Sequence, residues 1–239
     1  MVAILSNQRE VIFDAVQRMY TDVARMPEHE FHFPTGRRAC EFVGYPFATG
    51  VIRMGDTVLD IGSGSGTDAF IAAGLVGPGG RVIGLDLTEA MRDKLRANAA
   101  VAGTANLEVL AGNAEAIPLP DASVDVVSSN GVLNLVPDKP RAIREIARVL
   151  RVGGRLQMAD IVVRTPPSEA CRAHPELWAE CVVGATTVES YLAGFEAAGL
   201  CDVEVLGRSD YFAGSSSAET RRVAGSFGAH SVVLRARKP

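Results

Sequence analysis

The chain has little that would hold a nucleic acid, cross a membrane or bind a metal through cysteine. Its 239 residues carry a formal net charge of -4, whereas a grip on nucleic-acid phosphates requires a basic surface. No apolar run is long enough to span a bilayer, and the N-terminus lacks the basic residues of a secretory signal. The four cysteines lack zinc spacing and do not suggest a disulfide framework. We therefore expect a cytoplasmic protein that acts on a small molecule, without nucleic-acid or membrane partners. The sequence leaves the oligomeric state open.

Hydrophobic residues make up 47% of the chain, enough for a large core in one principal domain. Apolar residues from Val11 to Val23 recur at helical spacing and predict an amphipathic first helix. The stretch from Glu28 to Gly50 has no clear period. We interpret residues 1–50 as a helix with a substrate-side cap segment and residues 51–239 as the main domain.

From residue 57 onward, short apolar strands alternate with helices, which predicts a mostly parallel α/β sheet covered on both faces. Strands are predicted at 57–62, 81–87, 106–112, 124–130, 155–163, 202–207 and 230–237. Helices are predicted at 68–77, 88–103, 140–150 and 187–200. Thr88 is an N-cap candidate and Gly103 a C-terminal stop. No helix is predicted between the last two strands, so we expect the last strand to be antiparallel.

The first strand ends in VLDIGSGSGTDAF, a turn with alternating glycines at positions 62, 64 and 66. In an open parallel sheet, ligands bind over this first strand-to-helix turn. A nicotinamide fingerprint would need its third glycine at position 67, which is Thr67 here. Asp60 precedes the turn, where a carboxylate opposes a pyrophosphate and favours a ligand with ammonium or sulfonium charge.

Two further segments complete the predicted ligand edge. Asp86 ends the second strand in GLDL, a position suited to accepting hydrogen bonds from ribose hydroxyls. Asn113 and Ala114 follow the third strand, where they are placed to contact an adenine ring. Because dinucleotides also carry a ribose, Asp86 alone does not distinguish between cofactors.

Together VLDIGSGSG, GLDL, GNAEAIPLPDASVDVV and RVLRVGGRL resemble class I S-adenosylmethionine-dependent methyltransferases over nearly the whole chain. The resemblance implies a Rossmann-like fold, a seven-stranded sheet and S-adenosyl-L-methionine as cofactor. The expected cofactor-binding residues are Asp60, Gly62, Ser63, Gly64, Thr67, Asp86, Leu87, Asn113, Ala114 and Ser129.

SSNGVLNLVPDK and HPELWAECVVGA resemble segments of arsenite methyltransferases. That family binds trivalent arsenic, a soft centre, through cysteine thiolates. At the family's thiolate positions this chain has Ser63, Cys181 and His230, and Gly131 replaces a further cysteine. The resemblance thus implies a methyltransferase with an altered substrate site and weak or absent arsenite turnover. Its catalytic candidates are Cys181, His230 and Glu180.

Several alternatives stay open at this point. Glu180 or Asp160 is a candidate general base, although Asp160 equally suits a structural strand end. The acceptor is either arsenite or an organic metabolite methylated on oxygen, nitrogen or carbon. A nicotinamide-dependent oxidoreductase and a non-catalytic cofactor-binding protein are the alternatives from other classes. An arginine series from Arg141 to Arg155 is interpreted as the solvated face of a helix, rather than as an RNA-binding stripe.

Overall fold

The computed structural model of the protein describes residues 6–25, 47, 50–168, 182–214 and 218–239. These residues form a seven-stranded sheet. Its strands are β1 (Thr57–Ile61), β2 (Arg81–Asp86), β3 (Leu107–Ala111), β4 (Val124–Asn130), β5 (Leu150–Val162), β6 (Cys201–Ser209) and β7 (His230–Arg237). The helices are α1 (Ser6–Arg25), α2 (Thr67–Val76), α3 (Glu89–Ala102), α4 (Lys139–Val149), α5 (Val188–Ala197) and α6 (Ala218–Phe227). Short 3-10 turns cover Leu133–Leu135 and Tyr211–Gly214.

The strand order is β3-β2-β1-β4-β5-β7-β6. The strands from β3 to β5 are parallel to their neighbours, and β7 is antiparallel to both β5 and β6. The predicted fold class is therefore confirmed, including the antiparallel last strand. The order reverses beside β1, so the carboxyl ends of β1 and β4 form the topological switch point where ligands bind in such sheets.

Alternating strand residues supply two cores, one on each face of the sheet. On one face, Leu59 and Ile61 of β1 pack with residues of α4 and α5. On the other face, Val58 packs with the small residues of α2, including Ala69 and Ala72. The central strands β1, β2 and β4 are therefore buried on both faces, as a helix-covered parallel sheet requires, whereas β3 and β6 at the edges are not.

Helix boundaries follow local chemistry. Asp138 caps α4 by accepting the N–H of Arg141 at 3.0 Å, and Pro140 stands in the first turn, where its missing N–H costs nothing. Gly103 ends α3 in the left-handed conformation at φ 64°, as predicted. Thr88 is the N-cap of α3, but its side chain makes no capping hydrogen bond.

The absence of a helix between the last two strands is a wrong prediction, because α6 lies there. Ala224 of α6 is buried, and Phe227 packs against the same small core. Few residues of AETRRVAGSF are apolar, so the hydrophobic pattern that reveals the other helices is weak in this segment.

The arginine series has a structural role beyond solvation. Arg148 donates to Glu145 and Asp121 and to the carbonyls of Ile117 and Leu119, all at 2.7–2.8 Å. These bonds tie α4 to the loop before β4. Over the described ranges, no helix combines the length and the apolar character that a bilayer crossing needs.

Candidate functional site

The glycine turn after β1 has two kinds of glycine. A Cβ added at Gly62 would lie 2.2 Å from Val132 Cγ2, and one at Gly66 would lie 2.2 Å from Leu95 Cδ1. Side-chain packing therefore leaves no room for a Cβ at these two positions. A Cβ at Gly64 would meet nothing within 4 Å. Gly64 is therefore the glycine of this turn that borders open space, and all three have positive φ.

That space is a cavity of about 170 Å³ at the carboxyl ends of β1, β2 and β4. We call it the glycine-turn cavity. Its described lining includes the turn, the ends of these strands and α1: Phe13, Val16, Tyr20, Ile61, Gly62, Gly64, Leu85, Asp86, Leu87, Thr88, Met91, Gly112, Asn113, Ala114, Asn130, Gly131, Val132, Leu135 and Val136. Asp86 is the one charged residue of this described lining, and none is basic.

Asp86 is fixed by the backbone around it. Its Oδ2 accepts the N–H of Gly64 at 2.9 Å, and its Oδ1 accepts the N–H of Thr88 at 2.8 Å. Burial raises its pKa, while these two bonds and the nearby Arg92 oppose the rise. Each carboxylate oxygen has a second lone pair, so Asp86 keeps capacity to accept hydroxyl donors from the cavity.

Asp60 lies beneath the turn rather than among the described lining residues. It is 2% exposed, and its Oδ1 accepts the hydroxyl of Ser128 at 2.8 Å. Burial raises its pKa to about 7, and the carboxylates of Asp68 and Asp86 add to the rise. Close to neutral pH, Asp60 is consequently poised between its neutral and charged forms. An added positive charge nearby would favour the charged form.

The first helix closes the cavity from above. Phe13, Val16 and Tyr20 of α1 line it, Arg9 pairs with the buried Glu115 and Gln17 donates to the carbonyl of Leu87 at 3.3 Å. Ligand pockets usually measure roughly 300–1,000 Å³, so a ligand of nucleoside size requires these side chains to move outward. Sequence reasoning missed this wall. The amphipathic pattern of α1 predicts a buried face, but it does not identify what that face covers.

The turn after β4 is anchored by Asp160. This carboxyl is fully buried and accepts the hydroxyl of Tyr191 at 2.7 Å and the N–H of Asn134 at 2.9 Å. Burial raises its pKa to about 6, and the Tyr191 hydrogen bond opposes the rise. Of the two roles left open for Asp160, the geometry favours the structural one. It holds the segment that carries Gly131 and Val132 to the cavity.

The structure brings six of the ten predicted cofactor residues to one cavity: Gly62, Gly64, Asp86, Leu87, Asn113 and Ala114. Ser63 turns inward, donating to the Asp60 carbonyl at 3.0 Å and packing against Gly84. Thr67 opens α2 beside the turn. Ser129, 1% exposed at the end of β4, has a buried hydroxyl for which the described chain supplies no hydrogen-bond partner.

The catalytic candidates are more widely separated. His230 begins β7, at the far side of β5 from the glycine turn. Its Nδ1 lies 2.9 Å from the carbonyl of Gly228, and its Nε2 lies 3.2 Å from Arg208 Nη1. Glu180, Cys181 and nearly all of the cap segment 28–50 lie outside the described residues.

Comparison with known proteins places this geometry in a family. Residues 52–199 match the family model described as Methyltransferase domain. The chain is 39% identical to an arsenite methyltransferase of Halobacterium salinarum over 82% of this chain and 50% of that protein. It is 42% identical to a ubiquinone/menaquinone biosynthesis C-methyltransferase of Escherichia coli over 44% of this chain and 42% of that protein. It spans about half, or less, of the curated relatives it matches.

A solved structure extends the similarity to three dimensions. An arsenic(III) S-adenosylmethionine methyltransferase from Chlamydomonas reinhardtii superposes with a TM-score of 0.69 at 32% identity. The superposition covers 93% of this chain and 72% of that chain.

Proposed function

Because the chain belongs to the class I S-adenosylmethionine-dependent methyltransferases, we propose that it transfers a methyl group from S-adenosylmethionine to a small molecule. The observation that carries the proposal is the described lining of the glycine-turn cavity. It combines Asp86 with open space at Gly64 and has no basic side chain. A cofactor with a ribose and no phosphate fits this lining better than a dinucleotide does.

The residues that would hold the cofactor are Gly64, Asp86, Leu87, Asn113 and Ala114. When bound, S-adenosylmethionine would supply a methyl group on a sulfonium centre, with the neutral thioether as the leaving group. Asp86 accepts hydrogen bonds from hydroxyls, and the apolar wall excludes water. The remaining task is to orient the acceptor, and proximity of this kind lowers such barriers by about 7 to 11 kcal/mol.

Asp60 supplies the electrostatic part of the proposed mechanism. A cationic ligand beside the turn stabilises the Asp60 carboxylate and lowers its pKa from about 7. Binding would then release a proton and strengthen as the pH rises through about 7. A pyrophosphate has the opposite effect, because it places negative charge next to three buried carboxyls.

The proposed acceptor site departs from an arsenic thiolate centre. Ser63 and His230 occupy two of the three thiolate positions, and Ser63 faces Gly84 rather than the cavity. β4 and β5 separate β1 from β7. With neighbouring strands about 4.8 Å apart, residues at these strand ends are roughly 14 Å apart, too far to bind one arsenic atom together. An organic acceptor is the second candidate, favoured by this geometry and by the similarity to a C-methyltransferase.

The roles of the two parts of the chain, the acceptor contacts and the location are also proposals. Residues 1–50 would form the helix and cap on the acceptor side, and 51–239 the catalytic domain. Cys181 and Glu180 are kept as the candidates for contact with the acceptor. A cytoplasmic location is supported by the cysteine pattern, which suggests reduced thiols.

The test combines binding and turnover. Calorimetry should detect S-adenosylmethionine and its demethylated product, with no binding of NAD. Methylated arsenic should form slowly or not at all from arsenite with glutathione, whereas radiolabelled methyl should reach a member of a quinol, catechol and amine panel. NAD binding without a response to S-adenosylmethionine would refute the cofactor assignment. Efficient arsenite turnover would refute the altered acceptor site.

A further inference from the structure

A second and larger cavity lies where β5 and β6 end and β7 begins. It measures about 760 Å³ and is lined by residues of β6, β7 and α6 and by Arg164, which follows β5, with Phe212 and Ala224 on its apolar side. The register places His230 of β7 opposite Val162, the last residue of β5. The cavity therefore opens at the same edge of the sheet as the glycine-turn cavity, on the far side of β5.

Its charged lining is strongly basic. Arg164, Arg208, Arg221 and His230 face it, with Asp210 as the one acidic residue of the described lining. We call it the arginine cavity. The carboxylate of Asp210 already accepts the N–H of Ala213 at 3.1 Å. Arg164 and Arg208 alone outweigh Asp210, so the described lining has a net positive charge around one concave space.

Arginines elsewhere in the fold pair with carboxylates, as Arg148, Arg155 and Arg235 do at 2.6–2.7 Å. Arg164 and Arg208 differ. Among the described side chains, neither makes an ion pair, although both line a space with room for a ligand. A guanidinium presents a planar set of N–H donors that matches a carboxylate or a phosphate.

Arg208 is also oriented by its neighbour. A guanidinium only donates, so the 3.2 Å contact makes His230 Nε2 an acceptor. His230 Nδ1 then carries the proton and donates to the Gly228 carbonyl at 2.9 Å. Glu189, a described carboxylate outside the lining, interacts electrostatically with Arg208 and His230. Its own backbone N–H and Thr187 lower its pKa, with smaller effects from Arg208 and His230.

From this arrangement we propose that the arginine cavity binds the carboxylate or phosphate group of a small molecule. Arg164 and Arg208 supply the donors, His230 orients Arg208, and the apolar side accepts the uncharged part of the ligand. The proposal does not depend on methyl transfer, since none of these residues lines the glycine-turn cavity. A carboxylate and a phosphate would use the same donors, and separate titrations with the two anions distinguish them.

The experiment titrates the full chain with sodium phosphate and, separately, with sodium malonate, by calorimetry at constant ionic strength. Saturable binding of at least one anion is expected, and the tighter one identifies the ligand chemistry. Arg164→Gln and Arg208→Gln should each weaken it about tenfold, the loss expected for one charge-assisted contact. Arg235→Gln, which removes an exposed arginine paired with Glu204 outside the cavity, should leave it unchanged.

Arg164 and Arg208 are both exposed, so the variants should fold, and an unchanged thermal midpoint without anion checks this. Arg208→Lys should retain part of the affinity, because it keeps the charge and loses the planar donor set. No saturable binding of either anion would overturn the proposal. Binding that survives both Arg→Gln variants would overturn it as well.

Discussion

The two cavities lie along one edge of one sheet and differ in almost every chemical respect. The glycine-turn cavity is formed by parallel strands. Its described lining has one charged group, the Asp86 carboxylate held by N–H donors, and the Asp60 carboxyl is buried beneath it. The arginine cavity lies where the antiparallel strand β7 begins beside the end of β5, and exposed guanidiniums outnumber its one described carboxylate, Asp210. Topology therefore fixes where a ligand is bound, and the side chains at each strand end fix which ligand.

The two cavities also differ in how unfavourable it is to place charged groups in them. Burying a carboxylate is unfavourable unless donors or a cation compensate it, which is why the pKa values of Asp60 and Asp86 are raised. Exposed arginines remain hydrated and cost little. In the first region, buried carboxylates destabilise the protein unless a ligand compensates their charge. In the second region, the arginines are exposed and solvent stabilises their charge.

The largest expected effect comes from a matched pair of glycines. Gly62→Ala places a methyl 2.2 Å from Val132 Cγ2, and Gly228→Ala places one 3.2 Å from the Arg164 stem. Their φ values, 70° and 60°, are nearly equal, so backbone strain largely cancels in the comparison. A β-branched side chain is stiff and an arginine stem is not. Gly62→Ala should cost about 3 kcal/mol and Gly228→Ala about 1 kcal/mol.

Urea unfolding of both variants measures these values. Gly64→Ala is the control within the turn, since its φ is 53° and its Cβ would meet nothing. It should cost no more than Gly228→Ala. Equal destabilisation by Gly62→Ala and Gly64→Ala would show that Val132 moves aside and that packing does not exclude a Cβ at position 62.

A smaller effect is expected at Asp86. Asp86→Ala should weaken S-adenosylmethionine binding by about 1.5 to 3 kcal/mol, through the loss of charge-assisted hydrogen bonds. Asp93→Ala, an exposed carboxylate of α3 paired with Arg96, is the matched control and should have no effect. Calorimetry on both variants decides the point.

Phosphate titration of the same Asp86 variant sharpens the contrast between the regions. Asp86→Ala should leave anion binding intact, and Arg208→Gln should leave cofactor binding intact. Loss of both ligands from either single variant would mean that the two cavities act as one site.

The sequence predicts the strands well, for physical reasons that are visible in particular residues. Buried parallel strands are continuous apolar runs, so TVLDI and RVIGLD are unambiguous, and the family match confirms the cofactor class. Asp86 lies at a strand end, where position alone implies its exposure to a ligand. These signals are local and do not depend on packing.

Other features depend on contacts between distant segments, and the sequence does not carry them. The inward turn of Ser63 follows from its packing against Gly84, and the wall made by α1 follows from Arg9 and Glu115 meeting across the fold. The arginine cavity joins residues from β5 to β7, and α6 was missed because few of its residues are apolar. In each case the deciding interaction is tertiary.

The smallest expected effect concerns the contribution of the buried Asp60 carboxyl to stability. Because its pKa in the folded protein, about 7, exceeds the ordinary value of 3.8, the folded state binds the proton more tightly. The stability that this gives is fully present below pH 3.8 and is lost as the pH rises through about 7.

Asp60→Asn removes the titration and keeps an oxygen to accept the Ser128 hydroxyl. Its amide N–H needs a partner of its own, which offsets part of the gain. At pH 8 the variant should be about 1 kcal/mol more stable, or ~2–4 °C higher in thermal midpoint, and this advantage should shrink as the pH falls toward 4. The same variant should bind S-adenosylmethionine more weakly, since the charge that favours a cationic ligand is gone. A midpoint at pH 8 equal to or below that of the wild type would contradict the idea that a buried carboxylate is held there at a cost.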